Sequence, residues 1–111
     1  TANAFRNIMQ SFDATAWAGK RVRLSAAIRA ACPDASDSAA MWLRVDMKAA
    51  QKPSFLSDMS DRPIRTDEWK VYEIVADIAE DAQKINIGVM AFGGAIVRID
   101  DVRFEEVPSA R

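Results

Sequence analysis

From Arg21 to Ala30 the chain alternates strictly. Val22, Leu24, Ala26, Ile28 and Ala30 fall on one side, and Arg21, Arg23, Ser25, Ala27 and Arg29 on the other. That is the period of a half-buried β-strand. A strand with one apolar face needs a second layer to cover it. The alanines tolerate helix, but Gly19-Lys20 in front reads as a turn and no capping residue precedes the run. The same period recurs along the chain. Ile8, Gln10 and Phe12 oppose Met9 and Ser11. Met41, Leu43, Val45 and Met47 oppose Ala40, Trp42, Arg44 and Asp46. Tyr72, Ile74, Ala76 and Ile78 share one side of 69–78. Ile85, Ile87, Val89 and Ala91 oppose Asn86, Gly88, Met90 and Phe92. Gly93-Gly94 reads as a hairpin turn, with Ala95 to Phe104 returning as the last long strand. A short extended piece is expected at Ser54 to Met59. Helix is confined to single turns at Asp34–Ala40 and Glu80–Gln83. About seven strands joined by short turns predict an all-β, antiparallel, jelly-roll-like sandwich forming one domain.

Composition narrows the function classes. With no His and one Cys among 111 residues, the chain can form neither an internal disulfide nor a His-dependent catalytic or zinc site. A net charge of −1 lacks the basic excess of a nucleic-acid binder. No apolar run approaches the roughly 20 residues of a membrane span, and Thr1 to Arg6 lacks a signal-peptide core. A cytoplasmic location is expected. Residues 1–66 carry 10 basic and 6 acidic side chains, and residues 67–111 carry 5 and 10. If early and late strands lie side by side, this asymmetry neutralises across a sheet.

No phosphate loop, nucleophile elbow or clustered metal motif is present. The acid pairs Asp100-Asp101 and Glu105-Glu106 cannot act jointly from one strand, because neighbours point to opposite faces. The chain is therefore read as a non-enzyme without a cofactor. Asp100-Asp101 interrupts the last strand as a bulge would; holding a loop is preferred over ligating calcium. Cys32 has no resolving partner and reads as a small loop residue.

The segment Ala40–Met47 is the most informative for binding. One side is apolar and faces the core. The other carries Trp42, Arg44 and Asp46 at two-residue spacing, which can present a stacking ring beside hydrogen-bonding ions to a sugar or polyol. The competing reading buries Trp42 and ties Arg44 to Asp46. Gln10 and Arg23 extend the polar face if the early strands lie beside it. Asp61 and Arg62, in the aperiodic loop 59–67, become rim contacts if that loop folds over Trp42 and otherwise form a polar turn. Trp17 is expected to clip a loop onto the core, and Trp69 to cap one end of the sandwich.

Several segments in order resemble one bacterial domain type. They are Met9-Gln10-Ser11-Phe12, Gly19-Lys20-Arg21-Val22-Arg23-Leu24-Ser25 and Met41-Trp42-Leu43-Arg44-Val45-Asp46. Asp58-Met59-Ser60-Asp61-Arg62-Pro63-Ile64, Asp67-Glu68-Trp69-Lys70-Val71-Tyr72-Glu73 and Asp100-Asp101-Val102-Arg103-Phe104 continue the series. The type is a jelly-roll sandwich similar to carbohydrate-binding modules and galactose-binding-like domains, found alone or attached to bacterial helix-turn-helix transcriptional regulators. The resemblance implies ligand binding, with no ligand assigned. Domains of this type usually open with about two further strands, so the chain is expected to be the C-terminal part of a larger domain. They also commonly read Asp-Asn-Met where this chain has Ser57-Asp58-Met59. No helix-turn-helix lies in these residues, so direct DNA binding is not carried over. Two functions are therefore expected to compete. The first is carbohydrate or polyol binding through Trp42, Arg44, Asp46, Gln10, Asp61 and Arg62. The second is a structural or regulatory module that self-associates through an open sheet edge or docks to an attached domain.

Overall fold

The computed structural model describes residues 5–49, 52–53 and 55–108. The strands among them are β1 (Phe5–Asp13), β2 (Arg21–Ala31), β3 (Ser38–Met47), β4 (Phe55–Ser57), β5 (Lys70–Asp77), β6 (Ala82–Phe92) and β7 (Ile96–Glu106). They form two antiparallel sheets, ordered β1-β6-β3-β4 and β5-β2-β7. This is the expected all-β sandwich with seven strands. The short piece expected at Ser54 to Met59 is β4; Ser54 lies outside the described residues.

The alternation decides the core. All five inward residues of β2 are at most 2% exposed, as are Met41, Leu43 and Val45 of β3. Ile74 and Ala76 of β5 and Ile85 of β6 close on them. Each large aliphatic side chain so buried contributes roughly 1.5–3 kcal/mol. On the outside of the smaller sheet the charge asymmetry resolves as expected. Arg21 Nε donates to Asp77 Oδ1 at 2.7 Å, and Arg23 Nη2 to Glu105 Oε1 at 2.9 Å. The basic strand β2 thus lies between the acidic strands β5 and β7. These are exposed pairs of modest worth.

Three local expectations need correction. Gly93-Gly94 is a turn, with Gly93 at φ +68°, but not a hairpin turn. β6 and β7 lie in different sheets, as do all consecutive strands except β3 and β4. The steering residue is Asp37, 4% exposed. Its carboxylate accepts from Asp34 N at 2.9 Å and Gly94 N at 2.8 Å, pinning the turn to the β2–β3 loop. Trp69 caps nothing. It is 48% exposed, and the Arg29 guanidinium lies 5.8 Å from its ring centroid. Residues 34–37 and 79–82 are simple turns, while a 3-10 helix forms at Thr15–Trp17. It sets Trp17 edge-on to Phe104 at 4.7 Å, which is the expected loop clip.

The bulge lies where the acid pair placed it. Ser25 faces Arg103 and Ala27 faces Asp100, so Ala26 alone spans Asp101 and Val102. Asp101 takes φ +53°. Asp100 Oδ1 accepts from Asp101 N, and Asp101 Oδ1 from Arg103 Nε. Both carboxylates serve the backbone and strand at this point.

Candidate functional site: a groove on the outer face of the four-stranded sheet

The outer face of the larger sheet is built by register. Trp42 lies opposite Gly88, Arg44 opposite Asn86 and Asp46 opposite Lys84. On the far side of β6, Asn7 lies opposite Met90, Met9 opposite Gly88 and Ser11 opposite Asn86. Gly88 has no side chain to hold the indole off the sheet. The ring therefore lies across it, and Trp42 Nε1–H donates to Asn7 Oδ1 on β1 at 2.9 Å. Trp42 is only 6% exposed.

Trp42 is thus not the open stacking platform the pattern suggested. It is the floor of a groove of about 340 Å³, whose rim is Asn7, Met9, Arg44, Leu56, Asp58 and Met90. Met9 and Leu56 are 48% and 59% exposed, so the rim offers apolar surface to solvent.

Beside the groove lies a buried polar cluster. Asn86 is 2% exposed. Its Oδ1 accepts from Ser11 Oγ at 2.6 Å, and its Nδ2 donates to Arg44 O at 3.2 Å and Asp46 Oδ2 at 2.9 Å. Arg44 Nε donates to Asp46 Oδ1 at 3.0 Å. Asp46 therefore holds the Arg44 guanidinium in place and does not line the groove. Burial pushes the Asp46 carboxyl up. Hydrogen bonds from Asn86 and Arg44, with the charges of Arg44 and Lys84, outweigh it and hold the group below the ordinary 3.8. A depressed carboxylate adds stability above its unfolded pKa and loses it as pH falls through the folded one. Asn86→Ala is expected to cost about 1–3 kcal/mol at neutral pH. The gap to wild type narrows on acidification below the ordinary Asp value, because protonated Asp46 gains less from the amide. Urea denaturation at about pH 7 and about pH 2.5 reads the difference; a gap that widens in acid contradicts it.

The other expected site residues lie elsewhere. Gln10 is opposite Ile87, so it faces the space between the sheets and not the Trp42 face. The period had already put Gln10 on the side of Ile8 and Phe12; register puts that side inward. Arg23 belongs to the other sheet, paired with Glu105 and Glu73. Asp61 and Arg62 do not reach the groove. Met59 and Ile64, each 1% exposed, anchor the 59–67 loop in the core, and Ile64 bridges Ala39. The loop tip turns toward β5, where Arg62 Nη1 donates to Glu73 O at 3.5 Å. Asp58, one residue before the buried Met59, takes the rim position instead. Cys32 is half-buried, and burial pushes its thiol up, which suits packing better than reactivity. Asn7, Met9, Leu56, Asp58 and Met90 escaped sequence reading. The available signal was Gly88, a glycine inside a strand, which marks a close approach.

No family model matches the chain. Over 104 residues it is 40% identical to the Uncharacterized HTH-type transcriptional regulator YbfP of Bacillus subtilis (strain 168). The match covers 93% of this chain and 34% of that protein, so the chain spans about a third of the relative's length. No helix among the described residues is long and apolar enough to cross a membrane.

Proposed function

We propose that the chain is a non-catalytic ligand-binding module of a bacterial transcriptional regulator, and that the Trp42 groove takes a carbohydrate or similar polyol. The observation that carries this reading is the groove's composition. Met9, Leu56 and Met90, around the 6% of Trp42 that stays uncovered, offer apolar surface to the C–H face of a sugar ring. Asn7, Arg44 and Asp58 stand at the rim to exchange hydrogen bonds with hydroxyls. The volume, about 340 Å³, is that of a small-molecule site. The similarity to a transcriptional regulator supports the regulatory setting.

Calorimetric titration against a panel of neutral mono- and disaccharides tests the reading. At least one sugar is expected to bind, and Asp58→Ala to weaken it about tenfold, the worth of one lost hydrogen bond. Asp58 is exposed, and its Oδ1 accepts from Ser60 N at 3.0 Å within the loop, so a thermal melt of the variant accompanies the titration. The absence of binding across the panel, or an affinity that Asp58→Ala leaves unchanged, overturns the assignment.

A further inference from the structure

Among the described residues the sandwich is closed on one side and open on the other. On the closed side, Met59 and Ile64 are buried in the core, and Ile64 bridges Ala39 of β3. On the open side, the edge strands β1 and β7 leave an apolar cleft of about 200 Å³. Arg6 Nη2 donating to Ala95 O at 2.6 Å closes one end, and the Phe12–Phe104 contact at 5.2 Å closes the other. Between them Ile8 and Val102 line the cleft and yet are 72% and 56% exposed. Among the described residues β7 pairs only with β2, and no described strand takes the far edge of this 11-residue strand.

The bulge determines what that edge can accept. It shifts the alternation, so that Arg98, Asp100, Arg103 and Glu105 all lie on the outer face, opposite Arg29, Ala27, Ser25 and Arg23 of β2. Ile99 and Phe104 lie inward, opposite Ile28 and Leu24. Two copies of an unbulged strand related by a two-fold axis can only pair even positions with even and odd with odd. Arg98 and Asp100 could then never face Arg103 and Glu105. With Asp101 as the extra residue, a two-fold axis at Val102 sets Asp100 opposite the partner's Arg103. It also sets Arg98 opposite the partner's Glu105, and Ile99 opposite the partner's Phe104. Unlike charges meet outside, and apolar side chains meet inside. Each pair occurs twice.

We infer that β7 is a homodimer edge: two copies pair their β7 strands antiparallel about Val102, joining the three-stranded sheets into one of six strands and bringing the two clefts together. A bulge and edge charges ordinarily blunt a strand against foreign partners. Here the same charges are complementary in one register with a second copy, which gives selectivity for self.

Sedimentation of the 111-residue chain from about 1 µM to about 1 mM tests this. A reversible dimer is expected. Val102→Lys, which places two ammonium groups at the axis, raises its Kd about tenfold or more. Arg98→Glu, facing the partner's Glu105, does the same, and adding Glu105→Arg, at a side chain 44% exposed, in the same chain restores association without touching the contacts that hold the bulge. Val102 and Arg98 are exposed, and thermal melts at the lowest concentration verify that each variant is folded. A monomer throughout, or a dimer indifferent to Val102→Lys, overturns the inference. A folded double variant that fails to restore association overturns the register and with it the proposal.

Discussion

Gly88→Ala is expected to destabilise the chain by about 2–3 kcal/mol, although it adds one methyl group. A Cβ at this position meets Ile8 O at 2.6 Å, Trp42 Nε1 at 2.6 Å and Trp42 Cε2 at 2.7 Å. One obstacle is backbone of the neighbouring strand. The other is a ring already fixed by its bond to Asn7. Relief requires β1 to separate from β6 or the indole to rise off the sheet. Either change spends pairing or packing. The denaturant midpoint should fall with little change in slope, and the groove should lose its floor. A variant within about 0.5 kcal/mol of wild type contradicts the placement of the indole.

Trp42→Ala is the second large effect, at about 3–5 kcal/mol. The side chain is almost wholly covered and spans three strands, from its origin on β3 across β6 to β1. Its removal leaves a void on the outer face and no donor for Asn7. Trp42→Phe keeps most of the volume and should cost about 1–2 kcal/mol, chiefly through the lost hydrogen bond and imperfect fit. The two variants, compared by urea denaturation, separate packing from hydrogen bonding. Equal losses in both would mean that the indole N–H, and not the ring, anchors β1.

The strands and their inward faces were legible because one physical rule governs them. Val22, Leu24, Ala26, Ile28 and Ala30 must leave water together, and only a period-two backbone allows it. The bulge at Asp100-Asp101 was legible for the same reason, as a break in that period. The groove was only half legible. Period places Trp42, Arg44 and Asp46 on one face but does not say which strand lies alongside or in what register. Asn7 and Gln10 sit three positions apart on β1. Register decides that Asn7 holds the indole and that Gln10, still exposed, lines the cleft between the sheets. The crossing at Gly93-Gly94 was illegible because its cause, Asp37, lies 57 positions away from Gly94 in the chain. Loop 59–67 turns away from Trp42 because Met59 and Ile64 are buried, and two isolated apolar residues in a polar loop carry no period to announce it.

The proposed ligand seat is the outer-face groove over Trp42. Nitrogen-edited NMR observes it directly, since the chain has three indole N–H groups, from Trp17, Trp42 and Trp69. Titration with the sugar that binds in calorimetry should shift the Trp42 indole and the Asn7 side-chain amide together, in a saturable manner, while the Trp17 and Trp69 indoles stay in place. Saturable shifts confined to Trp69, Trp17 or the β1–β7 cleft, with Trp42 and Asn7 unmoved, would contradict it.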